Sequence, residues 1–287
     1  MKHKIAMSGA TGFVGSNLTK AFRVHSWDVI PLGVNDFSLS ADELAARMSG
    51  ADVVVNLAGA PIAQRWTEEY KKVMYSSRIG VTRQLANACN IMDKKPQLFI
   101  STSAVGYYSS EGEHTEDNFK RAEDFLGDLT QDWEKEALQV SNSGIRTVIF
   151  RFGIVMGKEG GALKQMLGPF KKGLGGTIGK GLQGFSWVHI HDLVRAYETA
   201  VEDTSYEGIY NLTAPAVTTN KDLTKALGAA LGMPTILRVP KFVLRLKFGE
   251  GAEVLTSGQF ATPKRLLEKG FTFEFTDINK AVKDCVG

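Results

Sequence analysis

Gly9-Ala10-Thr11-Gly12-Phe13-Val14-Gly15 lies between the apolar run Ile5 to Ser8 and a helical pattern over Ser16 to Val24, and it reads as a strand, a glycine turn and a helix start. Glycines at these points permit a tight turn, let backbone approach a phosphate without an intervening Cβ, and let the helix pack closely on the strand. The free N–H groups of the first helical turn then face an anion. Taken as a bare pattern, three spaced glycines also describe an ordinary surface turn. The strand before and the helix after favour a dinucleotide site built on Gly9, Thr11, Gly12, Phe13, Val14 and Gly15.

Working outward, 287 residues are enough for a large core, either one elaborated domain or a main domain with a smaller lobe. The 43% hydrophobic and 23% charged content is that of a soluble globular protein, and a net charge of +3 is too small to argue for a nucleic-acid partner. No basic segment followed by an apolar stretch opens the chain, and no apolar run approaches a membrane span, so a cytoplasmic protein without a membrane partner is expected. Cys89 and Cys285 have neither redox nor metal-ligand spacing; no metal is expected.

The strand readings continue with Trp27 to Leu32, Asp52 to Leu57, Leu98 to Thr102, Arg146 to Phe150 and Ile209 to Leu212, separated by helical patterns that include Val73 to Ile91 and Ala122 to Val140. That alternation predicts an α/β fold with a doubly wound parallel sheet of Rossmann type. A dinucleotide-binding domain over 1–155, rejoined by 186–213, would carry a smaller C-terminal substrate lobe from 156–185 and 214–287. The alternation Phe271 to Phe275 reads as an exposed-edge strand, with a last helix capped by Thr276 or Asp277. Ligands of such sheets bind at the carboxyl ends of the strands. The end of the second strand, where an acid or an arginine would read the adenosine ribose, carries Gly33 instead, and Asp36 follows a short link to a Ser40-to-Glu43 capping box. NADP and NAD therefore both stay open as cofactors, with weak discrimination between them.

With these pieces placed, the chain resembles the extended short-chain dehydrogenase/reductase superfamily over nearly its whole length, on Gly9-x-x-Gly12-x-x-Gly15, Asn56-Leu57-Ala58-Gly59, Ser101-Thr102-Ser103, Arg151-Phe152-Gly153 and Trp187-Val188-His189-Ile190-His191-Asp192. A narrower resemblance, to an atypical epimerase-family subgroup with its own C-terminal domain, rests on Asn56 to Trp66, Ser77-Arg78, Ser103 to Tyr108, Asp132-Trp133-Glu134, Gly160 to Leu163 and Pro263 to Leu267. The resemblance implies NAD(P) contacts at Leu57, Ala58, Gly59, Thr102, Arg151 and Gly153, and an NADP(H) preference in the subgroup. It also implies a Tyr-x-x-x-Lys pair working with a serine, and this chain has no Tyr-x-x-x-Lys anywhere. Lys135 has Gln131 four residues before it, Lys120 has Glu116, and Arg78 stands where an asparagine often completes the proton relay.

Ser103 then remains as the carbonyl orienter, with Tyr107 or Tyr108 as proton donor from the same loop or, alternatively, as aromatic packing. Arg65 and Arg78 are candidates to hold an anionic or polyhydroxylated small-molecule substrate, or are structural ion pairs, and Trp187 is a pocket wall or core residue. The cluster Arg238, Lys241, Arg245 and Lys247 reads first as a solvated face. Two functions follow: an NAD(P)-dependent oxidoreductase or epimerase acting on a carbonyl or nucleotide-sugar-like compound, and a non-catalytic NAD(P)(H)-binding sensor or partner-binding protein. A homodimer is compatible with either.

Overall fold

Strands buried on both faces have no solvent side to leave polar, and this is why Val53-Val54-Val55 and Leu98-Phe99-Ile100 are unbroken apolar runs. In the computed structural model, which describes residues 3–287 apart from the side chain of Gln165, the first half of the chain alternates strand and helix. It runs β1 (Lys4–Ser8), α1 (Phe13–Val24), β2 (Asp28–Leu32), α2 (Ala41–Arg47), β3 (Val53–Asn56), α3 (Glu68–Tyr75), α4 (Val81–Ile91) and β4 (Leu98–Ala104). A short β5 (Glu113–His114) precedes α5 (Phe125–Leu138) and β6 (Arg146–Phe152). Then come β7 (Ile154–Gly157), α6 (Gly161–Lys171), β8 (Gly176–Ile178), β9 (Trp187–His189), α7 (Ile190–Glu202) and β10 (Gly208–Leu212). The remainder is α8 (Asn220–Leu231), β11 (Leu237–Val239), α9 (Lys241–Phe248), α10 (Glu253–Thr256), β12 (Phe260–Ala261), α11 (Lys264–Glu268) and α12 (Ile278–Val286).

Six of these strands form one sheet in the order β10-β6-β4-β3-β1-β2, every pairing parallel. The order reverses at β1, which lies between β2 and β3, so the crevice for a ligand opens at the carboxyl end of β1. Alternate residues feed two cores. Ile5, Met7, Val53, Val55, Leu98 and Ile100 pack with α1 and α7, whereas Ala6, Val54, Phe99 and Ile149 pack with α2, α4 and α5. A third core, including Met156, Trp187, Leu223, Leu227 and Val282, gathers β7, β9, α6, α8 and α12.

Two expectations about elements are corrected. Phe271 to Phe275 is not a strand: the N–H groups of Glu274 and Phe275 donate to the buried Asp192 carboxylate at 2.9 Å each, so a side chain at the start of α7 takes the place of a neighbouring strand. The single helix expected over Val73 to Ile91 is two helices joined by a wide π turn, Ser76–Gly80. The last helix is capped by Asp277, whose Oδ1 accepts from the Asn279 and Lys280 N–H groups.

Candidate functional site: a glycine turn and an apolar cavity with one buried arginine

At the end of β1, Gly9 takes φ +68°, the left-handed region where a side chain is strained, and its carbonyl accepts from the Gly12 N–H at 3.0 Å. Helix α1 begins at Phe13 with Gly12 as its N-cap and no side-chain cap, so the first-turn N–H groups are left for an external acceptor. A Cβ on Gly15 would come within 2.2 Å of the Gly9 oxygen. The turn is thus closed by glycine on the inside and open to an anion on the outside, which fits a dinucleotide pyrophosphate. The Phe13 ring packs away from that opening, against Gly157, Gly160 and Gly161.

Across the crevice, the Ser8 hydroxyl donates to Asn56 Oδ1 at 2.8 Å and accepts from the Leu57 and Ala58 N–H groups. Asn56 in turn donates to Thr82 at 2.7 Å, and the Trp133 indole donates to the same hydroxyl at 2.9 Å. The Leu57 and Ala58 amides are therefore used within the protein; these residues offer a cofactor their surface rather than those N–H donors. On the ribose side, Asp36 accepts from the Gly33 N–H at 2.7 Å and faces Arg47 Nε at 3.5 Å. Arg47, from the end of α2, also donates to the Pro31 carbonyl at 3.1 Å, so a guanidinium stands beside the end of β2 although none follows it in sequence.

A cavity of about 440 Å³ opens at the carboxyl ends of β4 and β6. Thr102, Ser103, Phe152 and Gly153 come to it from those strands, and the segments around α6 and 183–186 close the opposite wall. Gly153 admits no side chain, since a Cβ would lie 2.8 Å from the Ser186 carbonyl oxygen. Leu126 and Thr130, one helical turn apart on α5, face the cavity together with Ser103. Their i, i+4 spacing is that of the Tyr-x-x-x-Lys pair this chain lacks.

Arg78 is the cavity's one charged lining residue among the described residues. It sits on the π turn, 9% exposed, and donates only to the carbonyls of Met74 (3.3 Å) and Ala60 (3.0 Å), with its guanidinium carbon 5.3 Å from the Trp133 ring centre. Among the described residues no carboxylate reaches ion-pairing distance, and burial pushes the guanidinium down to about 10, still cationic at neutral pH.

Ser103 is buried and donates to Glu134 Oε1 at 2.6 Å. Glu134 is clamped by Arg151 through two hydrogen bonds of 2.7 Å, and Arg151 donates to the Tyr108 hydroxyl at 2.7 Å, which donates onward to Asn211. This corrects the expected proton donors. Tyr108 is fully buried, its proton is given to Asn211, and burial pushes it up to about 12; Tyr107 lies under the Arg151 guanidinium at 3.7 Å and faces a second, open groove. Neither tyrosine lines the cavity. Arg151 forms a buried ion pair with Glu134. Trp187 lies in the third core, its indole donating to Thr218 at 3.0 Å, and Arg65 is exposed, donating to the Leu246 carbonyl. Arg238, Arg245 and Lys247 are exposed, and the Lys241 ammonium donates to the Thr256 carbonyl.

Comparisons with known proteins place the fold in a family. Residues 5–213 match the NAD dependent epimerase/dehydratase family, and residues 239–285 match a domain of unknown function, DUF1731. The chain is 37% identical to the mouse epimerase family protein SDR39U1 over 99% of both chains. It is 36% identical to the epimerase family protein YfhF of Bacillus subtilis (strain 168), over 98% of this chain and 97% of that one. Among solved structures, that of human epimerase family protein SDR39U1 (isoform 2) with NADPH superposes with a TM-score of 0.91 at 33% identity, covering 98% of each chain.

Proposed function

The chain belongs to the NAD dependent epimerase/dehydratase family, and from that premise we propose that it is an NAD(P)(H)-dependent oxidoreductase or epimerase whose small-molecule substrate occupies the cavity at Ser103. The observation that carries the reading is the convergence, at one edge of the sheet, of an uncapped glycine turn suited to a pyrophosphate and a mainly apolar cavity whose lining includes the Ser103 hydroxyl and the Arg78 guanidinium. A bound nicotinamide would supply hydride to, or take it from, a carbon of the substrate. The first-turn amides of α1 would hold the pyrophosphate, and the NADPH-bound human relative favours NADP(H) here.

Ser103 donates its one hydroxyl proton to Glu134, so toward the cavity its oxygen offers an acceptor. A substrate hydroxyl donating to Ser103 Oγ can pass its proton on to Glu134 Oε1, with Arg151 holding that carboxylate in place. The apolar walls of α5 and of residues 166–185 exclude water around the exchange.

One feature favours a second reading, cofactor binding without turnover: among the described residues no Tyr, Lys, His, Asp or Glu lines the cavity. The two readings separate on one set of measurements. NADPH and NADP are titrated first, and a panel of carbonyl compounds and alcohols is then followed at the nicotinamide absorbance. Turnover that falls at least about 100-fold in Ser103→Ala with cofactor affinity retained supports the enzyme. Tight NADPH binding with no panel member turned over supports the binding-only reading, and no binding of either nucleotide refutes both.

A further inference from the structure

We infer that the cavity accepts an acid with an apolar body, its carboxylate seated on Arg78, and not a nucleotide sugar. The inference rests on the proposed function only in taking this cavity as the substrate site. Three observations carry it. Arg78 is nine-tenths buried and uses donors on two backbone carbonyls, which leaves part of its five-donor fork without an acceptor. A buried guanidinium facing no carboxylate is strongly disfavoured on its own, and a bound anion removes that penalty. Finally, the rest of the wall carries only uncharged polar groups: Thr102, Thr130, Gln183, Ser186 and Asn220 already hydrogen-bond within the protein, which leaves Ser257 and Gln259, and most of its surface is hydrocarbon. Leu126, Leu129, Phe152, Met166, Phe185 and Leu255 make its body, and no second cation stands beside Arg78 among the described residues.

Arg78 enters from the π turn and Ser103 from the end of β4, and both line the one cavity, so a single molecule with its carboxylate on the first and an oxygen on the second would lay its carbon skeleton along α5. A nucleoside diphosphate would instead bring two phosphates into a wall whose one cation, Arg78, alone offsets their charge.

The test compares octanoate, octanamide and UDP-glucose by calorimetry on the NADPH-loaded protein and on the free protein. Octanoate is expected to bind at least 30-fold more tightly than octanamide and more tightly than UDP-glucose. In Arg78→Gln the acid-to-amide preference is expected to vanish, and in Arg78→Lys to persist in part, because lysine keeps the charge but not the fork. Equal affinities for acid and amide in the wild type overturn the inference without requiring any variant to fold. An Arg78→Gln protein that loses NADPH affinity more than 10-fold while keeping the acid preference also overturns it, since the cation would then serve the cofactor's phosphates. Failure of NADPH to bind at all refutes the proposed function separately, while the free-protein comparison still reads the cavity.

Discussion

Replacing Gly12 by serine separates cofactor binding from folding at one position. Gly12 already has the extended conformation of an N-cap (φ −71°, ψ 175°), and a Cβ there meets only the Gly9 carbonyl oxygen at 3.3 Å. A serine oxygen at an N-cap accepts from the second or third helical N–H, here Val14 or Gly15. The helix gains a cap, so the stability change should stay within a few tenths of a kcal/mol, or about 1 °C in a chain this long. The same hydroxyl takes amides that a pyrophosphate needs. Losing one charge-assisted hydrogen bond costs about 1.5–3 kcal/mol, so NADPH affinity should fall roughly 10- to 100-fold. Fluorescence titration of NADPH alongside a thermal melt reads both quantities. Unchanged affinity in a folded Gly12→Ser protein would remove the pyrophosphate from this turn. Gly15→Ala is the contrasting control, because its Cβ would fall 2.2 Å from the Gly9 oxygen and the turn itself has to move.

Tyr108→Phe leaves Arg151 and Asn211 each short of a partner and should destabilise the fold by about 1–3 kcal/mol in urea unfolding, with no loss of turnover per folded molecule; a large fall in turnover would restore the tyrosine as a proton donor. Burial lowers the His189 pKa below that of the unfolded chain, so folding excludes its proton: the contribution is full above about pH 6.5 and is lost as pH falls toward the lowered value. Denaturant midpoints at pH 7.5 and 5.5 should differ less in His189→Asn than in the wild type, and equal differences would show that His189 does not titrate in that window.

The sheet was legible in the sequence because parallel strands buried on two sides leave continuous apolar runs, and the glycine turn because its three glycines sit between a readable strand and helix. The Ser40 cap was legible for the same local reason. What escaped depends on contacts remote in sequence. Nothing in Tyr107-Tyr108 reveals that the second ring turns inward to stack on His114 at 5.1 Å while the first covers Arg151. Phe271-Thr272-Phe273-Glu274-Phe275 alternates as a strand does, yet Phe271 and Phe273 pack edge to face at 4.9 Å and Phe275 stacks on His189 at 3.7 Å. Alternation there serves a loop wedged between two surfaces. Arg47 was invisible because the guanidinium beside the end of β2 comes from the far end of the next helix.

The π turn is the element that joins these gains and losses. An α-helix advances about 100° per residue, so one residue added in a turn rotates everything after it by that amount. Between α3 and α4 this widening brings Arg78 over the Trp133 ring, whose indole is fixed by the same Thr82 hydroxyl that holds Asn56 at the sheet edge. The cation is held by the core and does not swing in from solvent, so an anion binding there meets a preorganised partner. Gly59 then acquires a reason beyond the glycine-rich end of a strand. A Cβ at that position would lie 3.0 Å from the Arg78 guanidinium carbon, tighter than ordinary contact, so a side chain after Ala58 would press the guanidinium out of its present seat by a few tenths of an ångström. Helix α5 presents Leu126 and Thr130 to the cavity, and the charge enters from the π turn, beside Trp133 of the same helix. The cavity thus sets one cation against a mainly hydrocarbon wall, the arrangement on which the proposed carboxylate at Arg78 rests.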